Sequence, residues 1–447
     1  MPDPDLLSGL IVLLLLAALG MHLLCITWHH RETLQRQVQL FVVAIVVRFA
    51  MSVAIYSLGL INVVKDEDGS GWIVGVAYHE DWMRRGIGTL GLPGVLLEAF
   101  SKHHLGYYYL LGAFFHVTEL STRHAAAALN CFFGALTIVF AYRIARTLFS
   151  EWVAIRTGWW SCLFPSLIIW SAQTIKEPVV MLLETIALYC CVQVRLARVT
   201  VRHFLLVSVC IVLLLPFRFY AAYITGVAVV LSLALPNVKR RKLSLGSSLA
   251  LAGILGGTIA VSGLLAKQEA RFGSFGTKTV QTFRESVSKG TGSGVESHYN
   301  LGTGSGFISG TAIGAAHLLL APFPWQLVRG SERMMLTTPE LLAWWYMIWI
   351  ALIPGIRRAI RECFNDVVPL LFFICTLGLL YSAMFGNVGL AYRQRAQLIP
   401  WLASFAAFGL EERMLKRKRE SMQPGVLVPI IGCRSLGTQS RAAKSAF

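Results

Sequence analysis

Long apolar stretches recur along the whole chain and constrain its fold more than any other feature. Crossing a bilayer takes a helix of roughly 20 apolar residues. Eleven stretches approach that length, at 6–28, 41–63, 125–142, 152–171, 178–194, 204–219, 221–236, 246–266, 341–356, 367–385 and 396–410. Apolar residues make up 55% of the chain, charged residues only 14%, and the mean hydropathy is +0.62. This pattern predicts an all-α polytopic membrane protein with about 11 transmembrane helices.

The basic residues predict the orientation of these helices. The net charge is +17, but the positive charges are scattered through the loops, which does not indicate nucleic-acid binding. Short cytoplasmic loops of membrane proteins are enriched in Lys and Arg. One orientation places in the cytoplasm Arg31, Arg36, Arg143, Arg146, Arg195, Arg198, Arg202, Lys239–Lys242, Arg357, Arg358, Arg361, Arg413 and Lys416–Arg419. We therefore predict a multi-pass protein of the plasma (inner) membrane, with its N-terminus outside and its C-terminus in the cytoplasm.

This orientation divides the chain into predicted segments and leaves two large loops, 64–124 and 267–340, on the extracytoplasmic side. The segments are 1–40 (an extra N-terminal helix, which acidic first residues mark as retained, and a cytoplasmic turn), 41–266 (the main membrane module), 267–340 (a Gly-rich outer loop), 341–412 (the C-terminal helices) and 413–447 (a basic, disordered cytoplasmic tail).

Two features of the outer loops are open to more than one interpretation. The aromatic segment 105–118 is predicted to be a helix lying along the membrane surface, although a short span is an alternative. The sequence GTGSG occurs at 290–294 and again at 302–306. No lysine of a phosphate-binding loop follows it, so we interpret 267–340 as a flexible substrate-covering loop rather than a nucleotide site.

Three consecutive acids, Asp66, Glu67 and Asp68, follow the apolar stretch 41–63 and so lie at the predicted outer membrane boundary. A solvated cap that ends the helix would explain them. The functional interpretation is a general base that takes a proton from an acceptor hydroxyl. A divalent cation held by these acids with His79, Glu80 or Asp81 is a further alternative. Otherwise no metal site or cofactor is predicted.

Several cations are also predicted on the outer side, next to apolar stretches. They are Lys176 beside Glu177, Arg218 close to Tyr220, and the pair Arg393 and Arg395 before the last span. A plain hairpin turn would explain Lys176, and snorkelling to the headgroups would explain Arg218. The functional interpretation is a phosphate site, because the planar guanidinium suits phosphate oxygens. His103 and His104 of the first outer loop are candidates for substrate contact.

Acids for an acceptor and cations for a phosphate are what sugar transfer from a polyprenyl phosphate needs. The chain resembles the GT-C glycosyltransferases, most closely glycosyltransferase family 39, the protein O-mannosyltransferase and aminoarabinose transferase branch. The resemblance is carried by the acidic motif after an early span, by the surface segment 105–118, and by the stretches 129–149, 164–178 and 386–413. It implies inverting transfer with Asp66 or Asp68 as the base, and we favour Asp68.

The resemblance also implies the partners: a polyprenyl-phosphate sugar donor, a glycan, lipid or protein acceptor, and membrane lipid. Two features depart from the family pattern, namely the extra helix 6–28 and the lack of a large soluble C-terminal domain. A transporter or flippase of a lipid-linked or anionic substrate is a competing prediction, although the chain shows no repeated halves. A non-catalytic subunit of envelope-polysaccharide assembly is another.

Overall fold

The described part of the chain is almost entirely helical. The computed structural model describes residues 4–27, 31–61, 68–102, 104–196, 201–235, 253, 276–289, 293–295, 299–328, 335 and 337–421. Its α-helices are α1 (Pro4–Thr27), α2 (Arg31–Tyr56), α3 (Asp68–Arg84), α4 (Leu92–Glu98), α5 (Gly106–Thr118), α6 (Arg123–Leu148), α7 (Glu151–Leu163), α8 (Pro165–Ser171), α9 (Glu177–Arg195), α10 (Val201–Phe217), α11 (Phe219–Ala234), α12 (Thr277–Ser288), α13 (Gly304–Leu320), α14 (Pro324–Val328), α15 (Thr338–Met347), α16 (Ile353–Ala383) and α17 (Val388–Ser421).

The described residues confirm the predicted all-helical class, and several helices are long and apolar enough to cross a membrane. By length and composition they are Asp5–Thr27, Arg31–Tyr56, Arg123–Leu148, Glu177–Arg195 and Thr338–Ala383. Only 22% of the most apolar window of α1 is buried inside the protein. Exposed leucines such as Leu14 and Leu15 cover the rest of this helix, as expected where lipid is the neighbour. The predicted span 246–266 falls, except for residue 253, outside the described residues.

Helix α6 forms the centre of the bundle. In its most apolar window 83% of the residues are buried, and it packs against α1, α2, α7 and α9. Its first turns carry four consecutive alanines, Ala125 to Ala128, all fully buried. Small side chains let neighbouring helices approach closely, which is how helices pack in a membrane.

The predicted span 152–171 is broken in two by Pro165. Phe164 adopts an extended conformation (φ −69°, ψ 119°), and Pro165 begins α8 as its first residue. A proline disfavours the helical conformation of the residue before it and has no N–H to continue the ladder. The single predicted helix is therefore two short ones, α7 and α8.

A buried arginine satisfies the backbone at this break. In a continuous helix residue 165 would donate its N–H to Ser161 O, but a proline has no N–H. Ser166 would donate to Cys162 O, but its N–H donates instead to Glu340 Oε2 at 2.8 Å. Arg48 donates to both carbonyls, from Nη1 to Cys162 O at 3.2 Å and from Nη2 to Ser161 O at 3.4 Å. Its side chain therefore takes the place of two missing helical donors.

The chain reverses direction at Cys363, inside α16. Cys363 has non-helical angles (φ −144°, ψ 30°). Before Cys363 the chain runs parallel to α17, since Glu340 bonds Tyr392 and, further along both segments, an added Cβ on Gly409 would touch Ala351 O. After Cys363 the contacts run backwards along α17, since Phe373 packs on Trp401 whereas Tyr381 bonds Gln397. The segments 341–356 and 367–385 are thus two antiparallel helices, in agreement with the sequence analysis.

The first predicted outer loop is folded into helices. Helix α5 covers most of the aromatic segment 105–118, so its helical state is as predicted. It packs on α3 through aromatic contacts such as Tyr78 with Tyr109, whose ring centroids are 4.5 Å apart. The two helices approach closely at Gly112, where an added Cβ would lie 2.9 Å from Tyr78 Cβ.

Two predictions of irregular structure need correction. The second GTGSG motif forms the start of α13, because the Thr303 hydroxyl caps the helix by accepting a bond from Gly306 N at 3.2 Å. Residues 413–421 continue α17 instead of joining a disordered tail. Parts of the loop 267–340, including most of the first GTGSG motif, and the tail after 421 lie outside the described residues.

Candidate functional site

The first residue of α9, Glu177, is the centre of a buried charge cluster. Its carboxylate oxygen Oε1 accepts a hydrogen bond from Arg218 Nη2 and two from Arg393, at 2.9 Å from Nε and 2.6 Å from Nη2. The Glu177 side chain is 2% exposed. Its place in the first turn of α9 also favours a negative charge, because the helix dipole is positive there.

Arg218 reaches this cluster from the break between α10 and α11. It has an extended backbone (φ −151°, ψ 94°) that separates the two helices. Besides Glu177, its guanidinium contacts the Tyr381 hydroxyl at 3.4 Å and lies 5.9 Å from the centre of the Tyr220 ring. The predicted pair Arg218 and Tyr220 is therefore placed beside Glu177, at the start of another helix.

Among the described side chains of this cluster, positive charges outnumber negative ones. Lys176, directly before Glu177, is half-buried, and burial together with the nearby charges of Arg218 and Arg393 lowers the pKa of its amine to about 8. Among the residues that the structure describes, the Lys176 amine donates no hydrogen bond. Three cations thus share Glu177, and even with the buried Glu184 counted as charged the cations remain in excess. A bound anion would balance the site.

The segment that begins with Asp68 packs against the turn that carries Lys176. A Cβ added to Gly71, near the start of α3, would lie 2.2 Å from Thr174 O. Asn130 holds the turn in place by donating from Nδ2 to Ile175 O at 2.8 Å. The start of α3, which begins at Asp68, and the turn that carries Lys176 therefore come together, although they are distant in the sequence. Asp66 and Glu67 lie outside the described residues, and Asp68 is described by its backbone alone.

His104 packs on the segment that carries Arg218. Its ring lies 5.5 Å from that of Phe219 and 6.5 Å from that of Tyr220, and Nδ1 is 3.3 Å from Phe217 O. His104 thus belongs to the edge of the same cluster. His103 falls outside the described residues.

Arg395 does not join the cluster. Both arginines lie on α17 and not in a turn before the last span, and residues two apart on a helix point to different sides. The Arg395 side chain is buried and donates from Nη1 to Ala321 O at 2.7 Å. Its guanidinium also lies 5.1 Å from the Tyr392 ring. Of the predicted pair, only Arg393 reaches Glu177.

A small cavity lies on the inner side of Glu177. It measures about 20 Å³ and is lined by Arg48, Thr137, Ser171 and Glu177 among others. In the described part of the chain, Arg48 Nε and Glu177 Oε2 have no hydrogen-bond partner. The lining is mostly apolar, and the cavity has room for about one water molecule.

The alternative metal site is not assembled by the described residues. Asp81 pairs with Arg85 at 3.3 Å, and His79 packs edge-on against the ring of His116, with centroids 5.6 Å apart. Within the described ranges no three His, Cys, Asp or Glu side chains are grouped so as to hold a metal ion. A site completed by Asp66 and Glu67 stays a prediction.

Sequence reasoning missed the roles of Glu177 and Tyr381. In the sequence Glu177 stands out only as the neighbour of Lys176, because its partners lie 41 and 216 residues away along the chain. The one local signal is an acid placed directly before a proline at the start of an apolar stretch.

Comparison with protein-family models and with curated proteins finds no match to this chain.

Proposed function

We propose that this protein is an integral membrane glycosyltransferase of the GT-C type. It moves a sugar from a polyprenyl-phosphate donor to a glycan, lipid or protein acceptor on the extracytoplasmic face of the plasma membrane. In this proposal the chain crosses the membrane about eleven times, with the N-terminus outside and the C-terminus in the cytoplasm. The Glu177 cluster then lies at the outer end of the bundle.

One observation supports this function most: Arg218, Arg393 and Lys176 converge on the buried carboxylate of Glu177, beside the turn against which the start of α3 packs. A phosphate group would accept hydrogen bonds from Arg218, Arg393 and Lys176. Guanidinium groups favour phosphate because their planar N–H donors match its oxygens. Glu177 holds the two arginines in position before the donor binds, so little reorganisation is needed at the moment of transfer.

The transfer step follows from these charges. A carboxylate of the acidic segment, with Asp68 favoured, takes the proton of the acceptor hydroxyl. The acceptor oxygen attacks the anomeric carbon from the face opposite the phosphate, the bond between that carbon and the phosphate oxygen breaks, and the configuration is inverted. The leaving phosphate keeps the electron pair, and its added negative charge is stabilised by Arg218, Arg393 and Lys176.

The test is transfer of a labelled sugar from a panel of polyprenyl-phosphate donors by the purified, detergent-solubilised full chain. Asp68→Asn is expected to abolish transfer and to leave donor binding unchanged, because the base does not hold the phosphate. Arg393→Ala is expected to weaken donor binding about 10- to 100-fold, the loss of a charge-assisted bond. The matched control is Asp81→Asn, which removes an exposed acid from the same helix as Asp68.

If the wild type binds donors but transfers sugar from none of them, the assignment as an enzyme is overturned and a flippase or an assembly subunit is favoured. If Asp66→Asn rather than Asp68→Asn lost activity, the base would be reassigned and the enzyme class would stand. Unchanged donor affinity in Arg393→Ala and in Arg218→Ala would remove the phosphate site.

A further inference from the structure

A groove lies at the end of the bundle opposite the Glu177 cluster. We call this end the basic end; it carries Arg36, Arg146, Arg358 and Arg413. The groove has a volume of about 670 Å³, within the range of about 300–1,000 Å³ typical of small-molecule sites. Its lining residues are Trp152, Arg156, Tyr346, Ile350, Leu410, Arg413, Met414 and Arg417.

Each of three helices presents one face to this groove. Leu410, Arg413, Met414 and Arg417 have the spacing of a single face of α17. The two lining residues of α7, Trp152 and Arg156, are four positions apart. Tyr346 of α15 and Ile350, in the segment after it, have the same spacing. The groove is therefore a regular product of helix packing.

The groove is apolar towards the middle of the bundle and basic towards its end. From Leu410 to Arg417 the axis of α17 rises about 10 Å, at 1.5 Å per residue. Leu410 lies with Ile350 at the deep end, whereas Arg413 and Arg417 are exposed. The exposed ring of Tyr346, 68% accessible, also lines the groove. This is the division that a lipid has between its chains and its headgroup.

The three arginines of the groove have positive charge that described acids do not neutralise. Glu411 lies within electrostatic range of Arg156, but its carboxylate accepts a bond from Ser150 Oγ and is 3.6 Å from Arg358 Nη1. Glu412 pairs with Lys416 at 2.9 Å. The Arg156 guanidinium lies over the Trp152 ring, 3.3 Å from its centre, and this contact holds it at the wall of the groove.

We propose that this groove binds an anionic phospholipid, with the headgroup phosphate on Arg413, Arg417 and Arg156 and the acyl chains along Ile350, Leu410 and Met414. Basic pockets between helices at the cytoplasmic side of membrane proteins bind anionic headgroups in this way. In the predicted orientation the basic end is cytoplasmic, which is the side of the anionic leaflet. The proposal is independent of the transferase activity.

The test is native mass spectrometry of the full chain in detergent, titrated in turn with phosphatidylglycerol, with phosphatidylcholine of the same acyl chains, and with inorganic phosphate. We expect phosphatidylglycerol to bind at least about tenfold more tightly than phosphatidylcholine, because each basic residue near the headgroup contributes a factor of about five. Arg413→Gln with Arg417→Gln is expected to remove this preference. Both side chains are exposed, so their loss spares the fold.

The matched control is Arg357→Gln with Arg361→Gln, which removes two exposed arginines from the same end outside the groove. It is expected to keep the preference for the anionic lipid. An equal loss in the control would show a diffuse charge effect and overturn the site. So would equal binding of the two lipids, or displacement of phosphatidylglycerol by millimolar inorganic phosphate, which would indicate an anion site without recognition of lipid chains.

Discussion

Replacing Glu177 with glutamine tests whether one carboxylate holds the cationic cluster together. The substitution keeps the shape and one acceptor oxygen but removes the carboxylate charge that bonds both Arg218 and Arg393. Each charge-assisted hydrogen bond contributes about 1.5–3 kcal/mol. Leaving the buried Arg218 and the partly exposed Arg393 without this carboxylate therefore lowers the free energy of unfolding by about 3–5 kcal/mol, the usual cost of breaking a buried ion pair.

The assay is unfolding of the purified chain in mixed micelles by titration with a denaturing detergent. The control is Glu362→Gln, which removes a 41%-exposed carboxylate from its pair with Arg358 and is expected to cost less than about 1 kcal/mol. A short-chain polyprenyl phosphate added to Glu177→Gln is expected to recover part of the lost stability, since it returns negative charge to the arginines. The explanation fails if Glu177→Gln is as stable as Glu362→Gln, or if the phosphate stabilises the wild type just as much.

Three further outcomes follow from the described contacts. Donor affinity is expected to be constant below pH 8 and to fall above it, because the Lys176 amine, with its pKa of about 8, loses its charge. In Lys176→Arg the fall should disappear. If the variant keeps the pH profile of the wild type, the amine is excluded from the site. Gly71→Ala is expected to lose about 1–3 kcal/mol of stability and its transfer activity, because the added Cβ would overlap a carbonyl of the turn before α9. The control Gly94→Ala places its Cβ in open space and should be neutral. Equal effects of the two substitutions would mean that α3 does not pack against this turn. A membrane-impermeant maleimide is expected to label Leu90→Cys and not Lys416→Cys in intact cells, both positions being exposed, and the reverse pattern would invert the predicted orientation.

Sequence reasoning predicted long apolar helices such as α9 because hydropathy marks them, but it did not predict the helices α3, α12 and α13 within the outer loops. The stretch 178–194 differs from α9 by one residue at each end. It failed where one residue changes the backbone locally. Pro165 divides a stretch that is apolar throughout, and a window average over apolar residues does not register a missing N–H.

The candidate site was predictable in its parts but not in its arrangement. A charge beside an apolar stretch is unusual enough to mark Lys176, Arg218 and Arg393 from the sequence. Which of them meet depends on helix packing over separations of tens to hundreds of residues. The difference between Arg393 and Arg395 depends on the rotation of α17, because 200° of turn sends one guanidinium to Glu177 and the other to Ala321 O.

The helix break at Pro165 makes three distant positions dependent on one another. Arg48 supplies the donors that the break removes, and Glu340 accepts from the N–H that the break turns aside. An alanine at position 165 would donate its N–H to Ser161 O. Arg48 would then be a buried charge whose hydrogen bond to that carbonyl is no longer needed. Losing Arg48 instead would leave two carbonyls bare in a nonpolar interior. In any lineage of this protein, substitutions at 48, 165 and 340 are therefore expected to be accepted together or not at all.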